Sequence, residues 1–378
     1  LTHEENTVLE FLPALPRSIV AFVIVLGILV FVHEFGHYLA ARWRKVHVET
    51  FSIGFGKALF SWVDGRGTAW KLCWVPLGGY VKLHGQERPE DVSDEVRASW
   101  LPGLTFHEKS VGSRAIIVAA GPLANFALAI VLFFALYASF GRPVTQPIVG
   151  EVVAESPAAH AGLIAGDRIT AIDSTPIKHF EELQRIVLAS PGKPLVLHIL
   201  REDSPRDVPV TPEQIADSKG KPAGRLGIRG GGLIFEPMSI PAAMLAGVTQ
   251  TWDITAQTLD GVWGMISHRR SGDDLGGPLR IAQMSGEVAS LGFASLVSFI
   301  ALLSVNLGLI NLFPIPVLDG GHLMFFLAEA MRGKPLPPRA QEYGFRAGFA
   351  LLIGLFVFAT WNDLSHIGLF RWVAALIG

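Results

Sequence analysis

The chain has 378 residues, 50% of them hydrophobic and only 17% charged, with a mean hydropathy of +0.41. A soluble domain carries roughly a quarter charged residues, so this composition excludes a purely soluble enzyme, a disordered chain and a disulfide scaffold. Charge is nearly balanced, 31 basic against 33 acidic residues, with no long block of one sign. That argues against a nucleic-acid partner, which needs a basic footprint to displace counterions. The single cysteine, Cys73, has no intramolecular partner and leaves the redox compartment open.

In chain order, the first apolar run covers residues 18–41 and is long enough to cross a bilayer as a helix. The residues before it include Glu4, Glu5 and Glu10 against a single Arg17, the wrong sign for a secretory leader, so a retained helix is expected. Residues 51–60 and 69–83 follow, short apolar stretches punctuated by Gly54, Gly56, Gly78 and Gly79, and read as strands with turns. They form either a re-entrant hairpin shielded by the helices or a hairpin on the cytoplasmic side. A second apolar run spans 113–140.

Residues 148–234 then have the polarity of a compact soluble insert. A strand at 148–153, a short helix after Ser156-Pro157, a strand at 168–172, a helix at 180–188 and a strand at 195–200 are expected. Residues 202–225, rich in Pro, Gly and Asp, read as a long loop. Beyond the insert, Met244, Val248, Trp252, Leu259, Val262, Trp263 and Ile266 recur near helical period, with His268-Arg269-Arg270 at the end. This pattern fits a helix lying in the membrane interface or an ordinary packed helix. Apolar runs at 292–313 and 347–361 complete four expected spans. Basic residues flank the connections between spans one and two (Arg42, Arg44, Lys45, Lys109, Arg114) and between three and four (Arg332, Lys334, Arg339, Arg346). Short basic loops stay in the cytoplasm, which places both termini and residues 141–290 outside.

The chemistry is concentrated in the first span, which holds His33-Glu34-Phe35-Gly36-His37. Positions four apart share a helix face, so two imidazoles can grip one metal, and neutral imidazole nitrogen suits zinc. The intervening Glu34 is placed to take a proton from an attacking water. Ionisable residues inside an apolar helix are costly and mark function by default. A third ligand must reach the same depth. Residues 311–322, Asn-Leu-Phe-Pro-Ile-Pro-Val-Leu-Asp-Gly-Gly-His, end the third span, where two prolines break the helix. Asp319 falls at a depth similar to the histidines, although taken alone it reads as a turn residue before Gly320-Gly321. His322 is the blander loop histidine. Asn311 is expected to donate to the oxyanion, whereas Asn306 suits helix–helix hydrogen bonding.

These motifs together resemble the site-2 protease family of intramembrane zinc metalloproteases. The resemblance rests on His-Glu-x-x-His at 33–37, Asn306-Leu307-Gly308, the 311–321 run, and Gly121-Pro122-Leu123-Ala124-Asn125-Phe126 in the second span. In layout it is nearest to the bacterial regulator-of-sigma-E (RseP-like) proteases. The insert, with Ser156-Pro157-Ala158-Ala159, Ala161-Gly162-Leu163 and Gly166-Asp167-Arg168-Ile169, resembles a PDZ domain, one where those proteases often carry two.

The resemblance implies an α-helical polytopic membrane protein of about four transmembrane helices, with a membrane-associated β-hairpin region and one inserted PDZ-like α+β domain. The expected divisions are 1–140 (spans one and two with the hairpin), 146–235 (the periplasmic PDZ-like domain), 236–290 (an amphipathic interfacial region) and 291–378 (spans three and four). It implies zinc held by His33, His37 and Asp319, with Glu34 and Asn311 catalytic. Substrates would be single-pass transmembrane proteins, such as an anti-sigma factor, already cut on the periplasmic side of a bacterial inner membrane. They would be held as an added strand along the hairpin at Gly54, Gly56, Gly78 and Gly79. A PDZ carboxylate cradle would fall at Leu226, Gly227 and Ile228. The competing expectations are a non-proteolytic membrane scaffold with a structural metal and, disfavoured because the ligands cluster at one site, a zinc transporter.

Overall fold

The computed structural model describes residues 3–87, 92–216, 221–267 and 276–366. The elements run α1 (His3–Trp43), β1 (Val48–Val63), β2 (Ala69–Leu83), α2 (Asp94–Ala98), α3 (Val111–Phe140), β3 (Arg142–Val152), α4 (Pro157–His160), β4 (Arg168–Ile172), β5 (Thr175–Pro176), α5 (Phe180–Leu188), β6 (Leu195–Arg201), β7 (Ser204–Val210), β8 (Glu213–Ala216), β9 (Pro222–Arg225), β10 (Ile228–Glu236), α6 (Ile240–Ile266), α7 (Pro278–Ser290), α8 (Phe293–Asn311), α9 (Asp319–Arg332) and α10 (Pro338–His366). They form two compact units: Leu1–Phe134 with Gly247–Leu259 and Gly272–Gly378, and Ala135–Ala246 with Asp260–Ser271. Among the described residues four helical segments are long and apolar enough to cross a membrane: Leu15–Trp43, Val111–Phe140, Phe293–Asn311 and Pro338–Ser365. Each overlaps one of the four expected runs.

In the first unit, α1 and α3 approach closely because their facing residues are small. A Cβ on Gly36 would collide with the Ala120 carbonyl and the Ala124 methyl, so the glycine sets the helix separation. Val25 and Leu29 of α1 pack with Ile300 of α8. Lower on α1, Tyr38, Ala40 and Ala41 share a core with Phe51, Leu83, Phe106 and Ile117.

The two strands β1 and β2 make more than a hairpin. Gly54 and Gly56, at φ 84° and 85°, bend β1 back on itself, a conformation that glycine adopts without a Cβ penalty. Thr50 to Ile53 then pair with Ala69 to Leu72 on one side and with Gly79 to Lys82 on the other, while Ala58 to Val63 pair with Ala69 to Cys73. The result is a four-segment mixed layer in the order 79–83, 48–53, 69–73, 58–63, in which 50–53 and 69–72 run parallel and the outer pairs antiparallel. Residues 79–83 therefore form an edge.

The second unit carries a sheet in the order β10-β3-β4-β6-β7, with β5 on β4, and a separate β8-β9 pair. Its core is Val149, Ile169, Ile172, Leu183, Val187, Leu197, Ile199 and Leu226. Fully buried Asp167 accepts from both Nε and Nη2 of Arg201, each at 2.7 Å, and from the Ile164 amide. The helix at 180–188 falls where the spacing places it.

Two expectations change. The 202–225 stretch holds β7, β8 and β9 rather than a loop. Val208 and Val210 turn inward on β7, and its prolines are tolerated because β7 is an edge strand. Gly320-Gly321 do not make a turn; they lie inside α9, where their missing side chains let it press against the carbonyls of Leu312, Phe313 and Ile315. The helix α6 has two distinct faces. Its packed face is Ala243, Thr251 and Ile254, with Gly247 against the α3 backbone at Ile130 and Phe134. Of the stripe read from the sequence, Met244, Val248, Trp252, Leu259, Trp263 and Ile266 are exposed and Val262 is half-buried, the pattern of the interfacial alternative rather than of a packed helix. His268-Arg269-Arg270 lies outside the described residues.

Candidate metal centre

Three side chains from two distant parts of the chain meet beside α3. His33 and His37, one turn apart on α1, present their Nε2 atoms 3.2 Å from each other. Asp319, the first residue of α9, brings Oδ2 to 3.1 Å from His33 Nε2 and 3.5 Å from His37 Nε2. Four ligands around zinc at about 2.0–2.1 Å are separated by roughly 3.3 Å along each tetrahedral edge, so three observed separations match three such edges. The chemistry of the set also fits. Asp319 Oδ2 is buried without a hydrogen-bond partner, which is costly unless something else claims its lone pair. Glycine at position 121 leaves the room, since a Cβ there would strike His37 and His33.

The imidazoles are held from behind. His37 Nδ1–H donates to the Ile117 carbonyl at 2.9 Å, which leaves Nε2 with its lone pair facing the cluster. His33 Nδ1 lies 3.3 Å from the side-chain amide of Asn125, a residue with no exposed surface. Glu34 points past the pair toward the edge strand, with its Cγ near Gly79.

The cluster sits in a cavity of about 1200 Å³ lined by Glu34, residues 79–81, Asn311 and the 334–338 segment. Asn311 thus faces the same space as the three converging side chains. Asn306 does not, because its Oδ1 accepts from Thr258 Oγ1 of α6 at 3.0 Å, as expected of an amide joining helices. His322 lines the cavity with its ring against Phe345 and is not part of the converging trio. Across the cavity wall Arg114 pairs with Glu329 at 2.6 Å and lies over the Phe326 ring.

The remaining predicted positions divide between the units. Gly78 and Gly79 enter the edge strand beside Glu34, whereas Gly54 and Gly56 form the bend in β1. In the second unit Leu226 is part of the core, its carbonyl accepting from Ala158. Gly227, at φ 80°, turns the chain into the edge strand β10, which Ile228 opens. Sequence reasoning gave no role to Ile117, Gly121 or Asn125. Only the last two carried a signal, a glycine and an amide four apart on one face of an apolar helix.

Residues 21–355 match peptidase family M50. The chain is 44% identical to Putative zinc metalloprotease R01501 of Rhizobium meliloti over 93% of its own length and 98% of that protein. It is 32% identical to the regulator of sigma E protease of Salmonella typhi over 93% of its own length and 99% of that protein. A solved PDZ domain of the SdrC-like protein from Listeria monocytogenes aligns at 27% identity over 22% of this chain and 84% of that domain, with a TM-score of 0.19. The chain belongs to peptidase family M50, the site-2 protease family. It is a zinc metalloprotease, and zinc is its metal.

Proposed function

We propose that the protein is an intramembrane endopeptidase that cuts single-pass membrane proteins already shortened on the outer side. The observation that carries this reading is the convergence of His33, His37 and Asp319, with Glu34 beside them, in a polar cavity among helices apolar enough to span a bilayer. His33, His37 and Asp319 would hold zinc, whose Lewis acidity brings the pKa of water toward about 7 and polarises a carbonyl. Glu34 takes the proton of the attacking water and returns it to the leaving amine. Asn311, on the cavity wall, donates to the developing oxyanion, a contribution of about 3 kcal/mol for such a donor.

A helical substrate hides its peptide bonds in its own hydrogen bonds and must unwind before attack. The edge segment 79–83 supports a route. It lines the cavity, and among the described residues no strand pairs with its outer side. An extended substrate added there would exchange main-chain hydrogen bonds with the edge and lie across Glu34. Gly78 and Gly79 then act in substrate binding by allowing close backbone approach.

The exposed aromatic and aliphatic residues Phe55, Phe60, Trp62 and Trp74 of the strand layer, and the exposed stripe of α6, suit contact with lipid. Basic residues near the ends of α1, α3, α9 and α10 support a cytoplasmic placement of the cavity mouth in a bacterial inner membrane. The second unit is then a periplasmic PDZ-like domain, with Leu226, Gly227 and Ile228 leading into its peptide-binding edge, β10. It would admit substrates with a trimmed outer segment.

The test is cleavage of single-pass proteins, with and without their outer domains, by the purified protein in vesicles. Cleavage of the trimmed form alone, abolished by a zinc chelator and restored by zinc, is expected. Equal cleavage of both forms would remove the size requirement, and chelator-resistant cleavage would remove the mechanism.

A further inference from the structure

Asn125 is the one polar side chain of α3 directed at the metal cluster, and the proposed chemistry does not use it. Its amide lies 3.3 Å from His33 Nδ1, its Oδ1 is buried without a partner, and its backbone carbonyl is fixed by the Ser304 hydroxyl of α8 at 2.8 Å. If His33 ligates through Nε2, as the separations at the cluster require, its remaining proton sits on Nδ1 and needs an acceptor. A half-turn of the amide exchanges its two ends without moving the residue, and such ends are told apart only by their partners. With nitrogen toward His33, two donors face each other and the oxygen stays bare. With oxygen toward His33, the clash of donors disappears and the oxygen gains a partner, while the amide nitrogen takes over the unpartnered position.

We infer that Asn125 is a positioning residue that accepts the Nδ1 proton of His33 through its side-chain oxygen, holding that histidine in the tautomer that offers Nε2 to zinc. It does for His33 what the Ile117 carbonyl does for His37. One helix therefore sets both ligand tautomers, from positions two turns apart. Such outer partners orient a ligating imidazole and raise its basicity, and losing one lowers metal affinity about ten- to hundred-fold. The inference rests on the ligand set proposed above.

The experiment measures zinc affinity by chelator competition on the full-length protein in detergent, for the wild type, Asn125→Leu, Asn125→Asp and His33→Ala. Leucine keeps the volume and removes both hydrogen-bonding ends; aspartate keeps only acceptors. Asn125→Leu should weaken zinc about ten- to hundred-fold, and Asn125→Asp should hold it at least as tightly as the wild type. A role as a donor would make both variants weak, and a role in packing alone would leave both at wild-type affinity. Wild-type affinity in Asn125→Leu, or a tenfold loss in Asn125→Asp, overturns the inference. Should the leucine variant fail to fold, the aspartate result decides alone. Retention of zinc by His33→Ala would instead overturn the ligand set, so the two failures are distinct.

Discussion

Replacing Gly121 with alanine adds one methyl group to α3 at the spot where the imidazoles of His33 and His37, the proposed zinc ligands, rest. The new carbon would lie 2.5 Å from His37 Cε1 and 2.9 Å from His33 Nε2. Ordinary carbon contacts begin near 3.4 Å, so the His37 ring must retreat by about 0.9 Å. It is not free to do so, because its Nδ1–H is bound to the Ile117 carbonyl at 2.9 Å. A misplacement of about 1 Å at a catalytic centre costs on the order of 100-fold, or about 2.7 kcal/mol of transition-state stabilisation. Helix propensity acts in the opposite direction, since alanine for glycine in a helix interior stabilises by about 0.5–1 kcal/mol. The expected signature is therefore a roughly hundred-fold loss of cleavage and weakened zinc binding without a lower unfolding temperature. Gly27→Ala on α1, where nothing lies within 4 Å of the added carbon, is the matched control and should leave cleavage and zinc unchanged. The assay is cleavage in vesicles, with zinc per chain and thermal unfolding measured on the same preparations. Wild-type turnover and zinc content in Gly121→Ala would refute the placement of α3 against the cluster.

Three further outcomes follow from the same geometry. Asn311→Leu should lower cleavage by about two decades through the lost oxyanion donor, while Asn306→Leu, which breaks only the bond from Thr258, should cost about 0.6 kcal/mol of stability and leave the turnover of folded protein nearly intact; rates per zinc-loaded enzyme separate the two. Glu329→Gln should lower stability by about 2 kcal/mol, less than for a dry pair because its partner Arg114 lines the same open cavity, which thermal unfolding in detergent reads directly. In the second unit, burial pushes the Asp167 carboxyl up, but Arg201 and the Ile164 amide outweigh it and hold it below its usual value. Its contribution is present above the unfolded value of about 3.9 and disappears as pH falls through the folded value. The hydrogen bond to Asp207 raises the His198 imidazole, whose contribution is present below about 6.5 and fades as pH rises through the folded value. Protease resistance of this unit in the intact protein should accordingly peak between about pH 4 and 6.5, and Asp167→Asn should flatten the acid limb.

Long-period features were the most legible in the sequence. Each apolar run is a helix, because length and hydropathy alone decide that structure where no turn residue intervenes. His33 and His37 could be paired from spacing because both lie on one helix, whereas bringing Asp319 to them required an argument about depth. The strand segments were readable as strands, but their order was not. Two glycines at positive φ bend β1 so that one strand serves two neighbours, and nothing in local composition encodes that register. The 202–225 stretch was misread because prolines mark loops on average, while an edge strand tolerates them. Gly320-Gly321 shows the same difficulty from the opposite side. A glycine pair signals a turn locally, yet here it serves contact between α9 and a segment that only the fold brings near. The spacing of Gly121 and Asn125 placed them on one face of an apolar helix, but their roles could not be read for that reason, since each acts on side chains of another helix.

The account stands most directly on Glu34. Substituting glutamine preserves the volume and removes the base, while His33, His37 and Asp319 are untouched. The decisive measurement is zinc per chain together with cleavage of a single-pass substrate for purified Glu34→Gln in vesicles. One zinc per chain with cleavage reduced by at least two decades is the predicted result. Undiminished cleavage by the zinc-loaded variant would contradict the assignment of the base, and full cleavage without zinc would contradict the centre itself.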